Sequence, residues 1–180
     1  MGITTRKGDL GRTDLLFGLR ASKDSLRVEA GGALEELNAF LGLARSELKA
    51  ARRKSVLKRC QENLFLVGAE VACPPKRRAR LKNRLGPEQV SWIEEQIQRL
   101  QKQIGKTAQG FVIPGSNRSS ALLEVARSVA RRAERRIVSL HRRKAIANKH
   151  VIVYMNRLSD LLWLLARLEE RKTELLRPEG

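Results

Sequence analysis

Residues 111 to 136 read FVIPGSNRSSALLEVARSVARRAERR, and this stretch decides the fold. After a Pro-Gly turn come side chains that cap helix N-termini by accepting bonds from free backbone amides: Ser116, Asn117, Ser119 and Ser120. Apolar residues then recur at steps of three and four, the period of one helix face: Leu122, Ala126, Val129, Ala133, Ile137 and Leu140. The stretch therefore predicts a long amphipathic helix with a capped start.

A second stripe on the same helix is made almost wholly of guanidinium groups. It consists of Arg127, Arg131, Glu134 and Arg135. Guanidinium is always charged, and its planar fork matches the oxygens of phosphate or carboxylate. Such a helix either lies on the surface of a bundle or lines an anion site, and the stripe alone leaves both open.

The composition favours one all-helical domain. The chain has 180 residues, of which only 4% are aromatic, and Leu, Ala, Arg, Glu and Lys dominate, as in helical bundles. It carries 37 Lys and Arg against 19 Asp and Glu, a formal charge of +18. Such a charge attracts nucleic acid, anionic lipid or a phosphorylated ligand. A very basic solvated surface explains the excess equally well.

Several other site classes are not expected. Cys60 and Cys73 lack C-x-x-C spacing, and Cys60 falls on an apolar helical position, so we place it in the core. His141 and His150 have no partners at ligand spacing, and we expect no zinc site. No apolar run reaches membrane-spanning length, and the N-terminus lacks the apolar core of a signal peptide. We expect a cytoplasmic protein.

Residues 1–23 show no helical period and combine glycines, hydroxyls and cations. The glycines are Gly8, Gly11 and Gly18, the hydroxyls are those of Thr4, Thr5 and Thr13, and the cations are Arg6, Lys7, Arg12, Arg20 and Lys23. Glycines let backbone amides turn towards an anion, which hydroxyls and cations then bind. The segment fits an irregular phosphate-binding loop without the Walker spacing. A floppy basic tail accounts for it equally well.

Apolar seams predict four further helices. Three precede the helix predicted within residues 116–140, which we call the arginine helix. Their seams are Leu34-Leu37-Leu41-Ala44-Leu48, Leu57-Cys60-Leu64-Val67-Val71 and Val90-Ile93-Ile97-Leu100-Ile104. The first starts near Asp24 or Ser25, Pro74-Pro75 ends the second, Pro87 opens the third, and residues 102–110 lead to the arginine helix. We predict a single domain with residues 24–172 in the bundle: an all-α four-helix up-and-down bundle plus one helix, and a tail at 173–180.

Two features of these segments stay open. The linker Lys76–Arg84 holds six cations in nine residues, and we expect it to be a mobile, solvated segment. The last helix, from about Val151 to Glu170, is apolar nearly all round and should be central. It nevertheless carries a polar line, consisting of Asn156, Ser159, Asp160 and Arg167. Because buried polar groups need partners, the line is either a site wall or an ion-pair lock to a neighbour, such as Asp160 with an arginine.

Five motifs stand in order along the chain. They are T-R-K-G-D at 5–9, V-E-A-x-G-x-x-E-E-L-N at 28–38, F-V-I-P-G at 111–115, A-R-x-x-x-R-R-A-E-R-R at 126–136 and N-R-L-S-D at 156–160. Together they resemble the PduO-type ATP:corrinoid adenosyltransferase family over nearly the whole chain. The resemblance implies a helical bundle that forms a homotrimer with active sites between subunits. It also implies transfer of the 5′-deoxyadenosyl group of ATP, accompanied by Mg²⁺, to Co(I) of cobalamin or another corrinoid, with release of triphosphate.

The resemblance also implies the site residues. ATP would be held by Thr5, Arg6, Lys7, Gly8, Thr13, Asp14 and Lys23 in the leading segment, by Arg131, Arg132, Glu134 and Arg135 on the arginine helix, and by Asn156. Glu35 and Arg127 would pair across subunits beside the corrin, and Phe111 would displace the lower ligand of cobalt. Arg131, Arg127, Glu35 and Phe111 are thus the implied catalytic set. No protein ligand is assigned to Mg²⁺, which the phosphates of ATP would mainly hold.

Other functions compete with this one. A basic helical protein could bind nucleic acid through residues 49–59, 76–84 and 127–144, although it lacks aromatic residues interleaved for base stacking. A catalytically reduced member of the family could carry or sense corrinoid. If the chain is the enzyme, we expect a flavoprotein reductase and a cobalamin-dependent acceptor enzyme as further partners, and no membrane.

Overall fold

The computed structural model describes residues 4, 6–105, 111–170 and 175. These residues form five long helices: α1 Leu26–Glu47, α2 Ala51–Ala72, α3 Pro87–Ile104, α4 Arg118–Arg142 and α5 Lys149–Glu169. The all-α five-helix bundle is confirmed. Helix α3 ends at Ile104, the last residue of its predicted seam, so residues 102–104 belong to the helix and not to the connection that was also predicted to start at residue 102.

The helix starts follow the predicted caps. Ser25 caps α1 by accepting a bond from the amide of Val28, and Asn117 caps α4 by accepting the amide of Ser120 at 2.9 Å. Asn117 is thus the cap among the four candidates of the opening stretch. Pro87 stands in the first turn of α3, where a missing amide costs nothing because that amide has no intrahelical partner.

The leading segment is not wholly irregular, and this part of the prediction is wrong. It contains an antiparallel hairpin of strands β1 Arg12–Asp14 and β2 Arg20–Ser22, in which Thr13 pairs with Ala21. Gly11 and Gly18 lie at φ 72° and 76°, left-handed conformations that glycine adopts without steric cost and that the chain needs at these turns. Strands of three residues are too short to show a period of two, so the sequence carried no signal for them.

The apolar seams meet in one core. Helix α1 packs against α2 and α4, while α5 packs against α4 and α3. The seam residues are buried except for Val90, Ile104 and Leu122, which are partly buried against the same core. Helix α5 is central as predicted, with an unbroken buried run at Leu164, Leu165, Ala166 and Arg167. No helix within the described ranges is both long enough and apolar enough to cross a membrane.

The linkers 73–86 and 143–148 are tied together at one end of the bundle. Arg27 of α1 donates to the carbonyl oxygens of Val71, Cys73 and Ala145, the last two at 2.9 and 3.1 Å. Asn148 donates to the carbonyl of Leu85 at 2.7 Å. These bonds satisfy carbonyls that a helix end or a loop leaves without intrahelical partners.

The basic linker is ordered where we expected a mobile segment. Residues Pro75–Arg80 form a 3-10 helix that begins at the second proline of the Pro74-Pro75 pair. The prediction considered only the charge of the linker. It could not include the contacts that its arginines make with segments distant in the sequence.

Candidate functional site

An open groove lies along α4 where this helix meets α5. Its volume is about 460 Å³, and its lining includes Arg131, Glu134, Arg135, Arg142 and Asn156. Within the described ranges, none of these three arginines pairs with a carboxylate within 4 Å. Three guanidinium groups in one groove form an electropositive surface that fits an anion with several oxygens.

The polar wall of the groove is oriented by α5. Asn156 donates from Nδ2 to Glu134 at 3.3 Å and accepts a bond at Oδ1 from Arg157 at 2.8 Å. Arg157 is held in turn by Glu94 of α3 at 3.1 Å. These bonds orient the side-chain amide of Asn156 so that its nitrogen faces the carboxylate of Glu134.

Asp160 lies one turn further along α5, close to the same charges. Partial burial raises the pKa of Asp160, and the charges of Arg157 and Arg131 act in the opposite direction. Its ion pair is with Arg157 at 3.7 Å, on its own helix. The suggested lock between Asp160 and a neighbouring helix is therefore wrong, although the polar line does contain a lock further along.

That lock is made by Arg167. Its guanidinium donates to Glu124 of α4 at 2.9 Å and to Glu170 at 2.8 Å, with only 2% of the arginine side chain exposed. Glu124 also accepts a bond from Arg127 at 2.6 Å. One buried carboxylate thus ties α5 to α4 and fixes the guanidinium of Arg127. The polar line is a lock at this end, and at Asn156 it lines the groove along α4.

Two further arginines of α4 point away from the groove. Arg132 pairs with Glu36 and Arg136 pairs with Glu29, both acids lying on α1. Arg132 was expected to bind nucleotide together with Arg131 and Arg135. In the single chain the guanidinium of Arg132 pairs with Glu36 of α1. The groove is therefore lined by Arg131 and Arg135 without Arg132.

The hairpin brings a lysine over a glycine. A Cβ added at Gly8 would lie 3.0 Å from Nζ and 3.3 Å from Cε of Lys23, so the end of the lysine side chain packs directly on this glycine. The backbone amide of Lys23 donates to the carbonyl of Gly11 at 2.8 Å. Asp14 pairs with Arg20 across the hairpin at 3.3 Å.

A second cavity lies between the hairpin, α1 and α2. Its volume is about 670 Å³, and its lining includes Thr13, Asp14, Lys23, Glu35 and Phe65. Most of the remaining wall is apolar or glycine, and Cβ atoms added at Gly31, Gly32 and Gly68 would meet nothing within 4 Å. This cavity shares no lining residue with the arginine groove.

The buried thiol of α2 is structural. Cys60 is fully buried in the core, as predicted. Burial raises its pKa to about 12, so the thiol stays protonated and unreactive at neutral pH. Nearby, Asn63 donates to the hydroxyl of Tyr154 at 3.2 Å, which satisfies a polar pair within the core.

The sequence matches one known family. The profile described as cobalamin adenosyltransferase matches residues 3–169. The chain belongs to this family. A corrinoid adenosyltransferase of Citrobacter freundii is 42% identical to it, and the match covers 93% of this chain and 94% of that protein. The corrinoid adenosyltransferase PduO of Citrobacter freundii is 39% identical, with 94% of this chain and 50% of that protein covered.

A solved structure matches this cobalamin adenosyltransferase chain over its whole fold. It is a variant of a PduO-type ATP:corrinoid adenosyltransferase from Lactobacillus reuteri, complexed with cobalamin and ATP. The TM-score is 0.87 at 32% identity, with 98% of this chain and 99% of that chain covered. The resemblance read from the five motifs is confirmed. The comparisons favour an adenosyltransferase over the two alternatives, a nucleic-acid-binding protein and a corrinoid carrier or sensor with little catalytic activity.

The predicted site residues of the family fall into two groups in this chain. Arg131, Glu134, Arg135 and Asn156 line the arginine groove, whereas Thr13, Asp14, Lys23 and Glu35 line the second cavity. Gly8 lies beneath Lys23, and Arg6 and Lys7 are exposed near it. Thr5 lies outside the described residues.

Phe111 and Arg127 line neither cavity, whereas Glu35 belongs to the wall of the second cavity. Phe111 is 83% exposed at the start of the segment that leads into α4. Glu35 forms no ion pair with any described cation, while Arg127 is bound by Glu124. Sequence reasoning missed Glu124 as the partner of Arg127. Their spacing of three residues on one helix was the signal that could have found it.

Proposed function

We propose that this chain transfers the 5′-deoxyadenosyl group of ATP to the Co(I) centre of a corrinoid. The electron pair of Co(I) attacks the ribose 5′ carbon, the bond from that carbon to the phosphate oxygen breaks, and inorganic triphosphate leaves with the bonding electrons. Membership of the family supports this reaction. The observation that carries it is the groove in which Arg131 and Arg135, without an ion-pair partner in the described part of the chain, lie beside Glu134 and Asn156.

The groove residues would stabilise the leaving group. Negative charge grows on the triphosphate as the carbon–oxygen bond breaks, and preorganised cations lower the free energy of that transition state. Within the described ranges neither Arg131 nor Arg135 forms an ion pair within 4 Å, so both guanidinium groups can take this role. The charge of Arg131 also acts on the nearby carboxylate of Asp160. Asn156, whose orientation is fixed by Glu134 and Arg157, would hold the nucleotide from α5.

The leading segment would supply the other half of the nucleotide site. Lys23 carries the cation over Gly8, where backbone amides can approach phosphate closely. The remaining residues that we assign to ATP in this segment are Thr5, Arg6, Lys7, Thr13 and Asp14. Closed over the nucleotide, the segment would exclude water from Co(I).

This reaction needs no general base. Co(I) is itself a strong nucleophile, and the carbon that it attacks loses no proton. The protein has to bring nucleophile, carbon and leaving oxygen into line and to stabilise the departing charge. The resemblance to the family assigns Phe111 to displacement of the lower cobalt ligand, and its exposed ring is compatible with contact to a planar macrocycle.

We propose Mg²⁺ as a companion of the nucleotide. No group of three or more His, Cys, Asp or Glu able to hold a metal occurs among residues 4, 6–105, 111–170 and 175. Mg²⁺ in nucleotide sites is commonly held by one or two carboxylates together with substrate phosphates, and the groove offers the carboxylate of Glu134. The donor set therefore fits a phosphate-bound ion, which would neutralise part of the triphosphate charge.

We propose a homotrimer whose active sites lie between subunits. Two features of the single chain support it: the two groups of nucleotide residues line separate cavities, and Glu35 pairs with no cation among the residues that the structure describes. A neighbouring subunit would bring the hairpin cavity of one chain against the groove of the other and pair Glu35 with Arg127. Phe65, 70% exposed at the hairpin cavity, is an apolar surface for this contact.

Further partners follow from the chemistry. Co(I) must be generated by a reductant, for which a flavoprotein reductase is suited, and the product would serve a cobalamin-dependent acceptor enzyme. A cytoplasmic location suits an enzyme that consumes ATP.

The experiment is an anaerobic assay with ATP, Mg²⁺ and chemically reduced cobalamin. We expect the spectrum of adenosylcobalamin and one triphosphate for each cobalamin consumed. Reactions that lack ATP, or that contain protein unfolded by heat, serve as controls. If the folded protein forms neither product, the proposed function is wrong.

A further inference from the structure

The basic linker after α2 contacts the turn of the hairpin. Arg77 donates from Nη1 to the carbonyl oxygen of Phe17 at 2.7 Å. The guanidinium carbon of Arg80 lies 4.6 Å from the centre of the Phe17 ring, a cation–π distance. Two arginines about 60 positions further along the chain thus contact Phe17, one at its backbone carbonyl and the other at its ring.

Phe17 adopts a backbone conformation that needs such support. It lies at φ 64° and ψ 31°, in the left-handed region, within the turn that joins β1 to β2. Residues with bulky side chains rarely adopt this region, because it is sterically strained, and they do so where surrounding contacts hold the backbone in place. The amide of Leu15 and the carbonyl of Leu19 close the turn at 2.6 Å, and the two arginines hold it from outside.

The linker is itself fixed to the bundle. Arg27 of α1 donates to the carbonyl of Cys73, which precedes the basic segment Lys76–Arg84, and Arg78 donates to the carbonyl of Lys144 at 3.4 Å. Lys144 follows α4, whose last turn contributes Arg142 to the arginine groove. A continuous set of contacts therefore runs from the hairpin turn through the linker to the helix that carries the groove.

We propose that Arg77 and Arg80 are positioning residues for the nucleotide, which act by holding the hairpin turn at Phe17. This inference rests on the proposed function, because it assigns the hairpin to ATP. A hairpin held in its binding conformation loses less conformational entropy when ATP binds, so the nucleotide binds more tightly. Neither arginine lines the arginine groove or the hairpin cavity, and the chemical step should not depend on them.

Variants of the linker separate this role from the effect of its charge. Arg77→Ala combined with Arg80→Ala removes both contacts and two positive charges. Lys76→Ala combined with Lys82→Ala removes two charges from the same linker at exposed lysines for which no contact is seen among the described residues. Arg80→Lys keeps a cation for the ring and should restore part of the loss when compared with Arg80→Ala.

Steady-state kinetics with ATP as the varied substrate is the first measurement. We expect the arginine double variant to raise KM for ATP roughly 5- to 10-fold, from the cost of ordering a few side chains and one turn. Its kcat and its KM for corrinoid should stay within about twofold of the starting values, as expected when only ground-state binding is lost. The lysine double variant should leave all three constants unchanged.

Hydrogen exchange of the hairpin amides, residues 11–23, is the second measurement, and it needs no activity. We expect faster exchange in the arginine double variant and no change in the lysine control. Unchanged exchange, an equal rise in KM in both double variants, or a fall in kcat at constant KM would each overturn the proposal. If the parent protein makes no product, the proposed function fails, whereas the exchange experiment still decides whether the arginines hold the turn.

Discussion

Arg167 of α5 donates to Glu124 of α4 across 2.9 Å, and 2% and 7% of their side chains are exposed. The other oxygen of the same carboxylate accepts a bond from Arg127 at 2.6 Å. The guanidinium of Arg167 also lies 5.4 Å from the ring centre of Trp163. The buried carboxylate therefore has two tasks: it neutralises a charge inside the bundle, and it orients an arginine that we assign to the corrin side of the site.

Glu124→Gln should destabilise the fold markedly. Removing one partner of a buried ion pair typically costs about 3–5 kcal/mol, because the other charge stays buried without compensation. Glu170 still faces Arg167 at 2.8 Å, so we expect the lower end, about 3 kcal/mol. Urea unfolding of the parent protein and the variant measures this loss of unfolding free energy. Glu62→Gln, which removes an exposed pair with Lys58, is the control and should cost less than about 1 kcal/mol. Equal losses in both variants would show that the Glu124 pair contributes no more than a surface pair.

Arg131→Ala should reduce catalysis with little change in stability. The side chain is exposed in the groove and has no carboxylate partner among the described residues, so its removal leaves no buried charge. Losing one preorganised donor to a developing negative charge lowers the rate roughly 10²- to 10³-fold. The matched control is Arg99→Ala, an exposed arginine on α3 paired with Glu95. Unchanged kcat/KM in Arg131→Ala would place this arginine outside the reaction.

Phe111→Ala should separate the two substrates. The ring is 83% exposed, so its loss should leave the fold and the affinity for ATP unchanged. If the ring acts on the lower ligand of cobalt, the reaction with cobalamin should slow by at least tenfold. Ile113→Ala, in the same segment and 41% exposed, is the control. Single-turnover rates with preformed Co(I) measure the effect, and equal losses for ATP and cobalamin would contradict the assignment.

Stability should fall in alkaline solution because of Cys60. Its thiol has a pKa of about 12 in the fold against an ordinary value of 9.0. Between these values the folded chain binds more protons than the unfolded one, so the free energy of unfolding decreases as pH rises. The contribution of the protonated Cys60 thiol to the free energy of unfolding is complete below pH 9.0. It is lost as the pH rises towards 12, by up to about 1.4 kcal/mol per pH unit. Cys60→Ala should give a shallower decline in guanidinium unfolding at pH 8 to 11, and parallel declines would refute this origin.

The helices were predictable because their signals are local. The apolar period identified which face of each helix is buried, and Pro87 and Asn117 marked two helix starts. In the same way, the order of motifs was enough to place Arg131 and Asn156 in one site, and the structure brings both into one groove.

What the sequence could not predict depends on partners distant along the chain. A helical period does not say which side chain lies opposite, so the engagement of Arg132 by Glu36 was missed. The hairpin strands are too short for a pattern, and the grip of Arg77 on Phe17 joins positions 60 residues apart. A run of cations was therefore interpreted as a solvated linker, although tertiary contacts had given it a defined structure.

The pairing of Glu35 with Arg127 across subunits is testable by a double-mutant cycle. In the single chain Glu35 has no cation within the described ranges, and Arg127 is presented at the surface of α4 by Glu124. If the two meet in the trimer, Glu35→Ala and Arg127→Ala should each weaken it, and their effects should not add. The coupling energy should be about 0.5–3 kcal/mol, the range for residues in contact. Sedimentation over a range of protein concentrations measures trimer dissociation.

The neighbouring pair of Glu36 and Arg132 is the control for this cycle, since it lies within one chain. Its two alanine variants should couple in urea unfolding and act additively on trimer dissociation. Additive effects of Glu35→Ala and Arg127→Ala on dissociation, in a protein that does form trimers, would show that no such bridge exists. The site would then be assembled between subunits without this ion pair, and Glu35 would be left as a wall residue of the hairpin cavity.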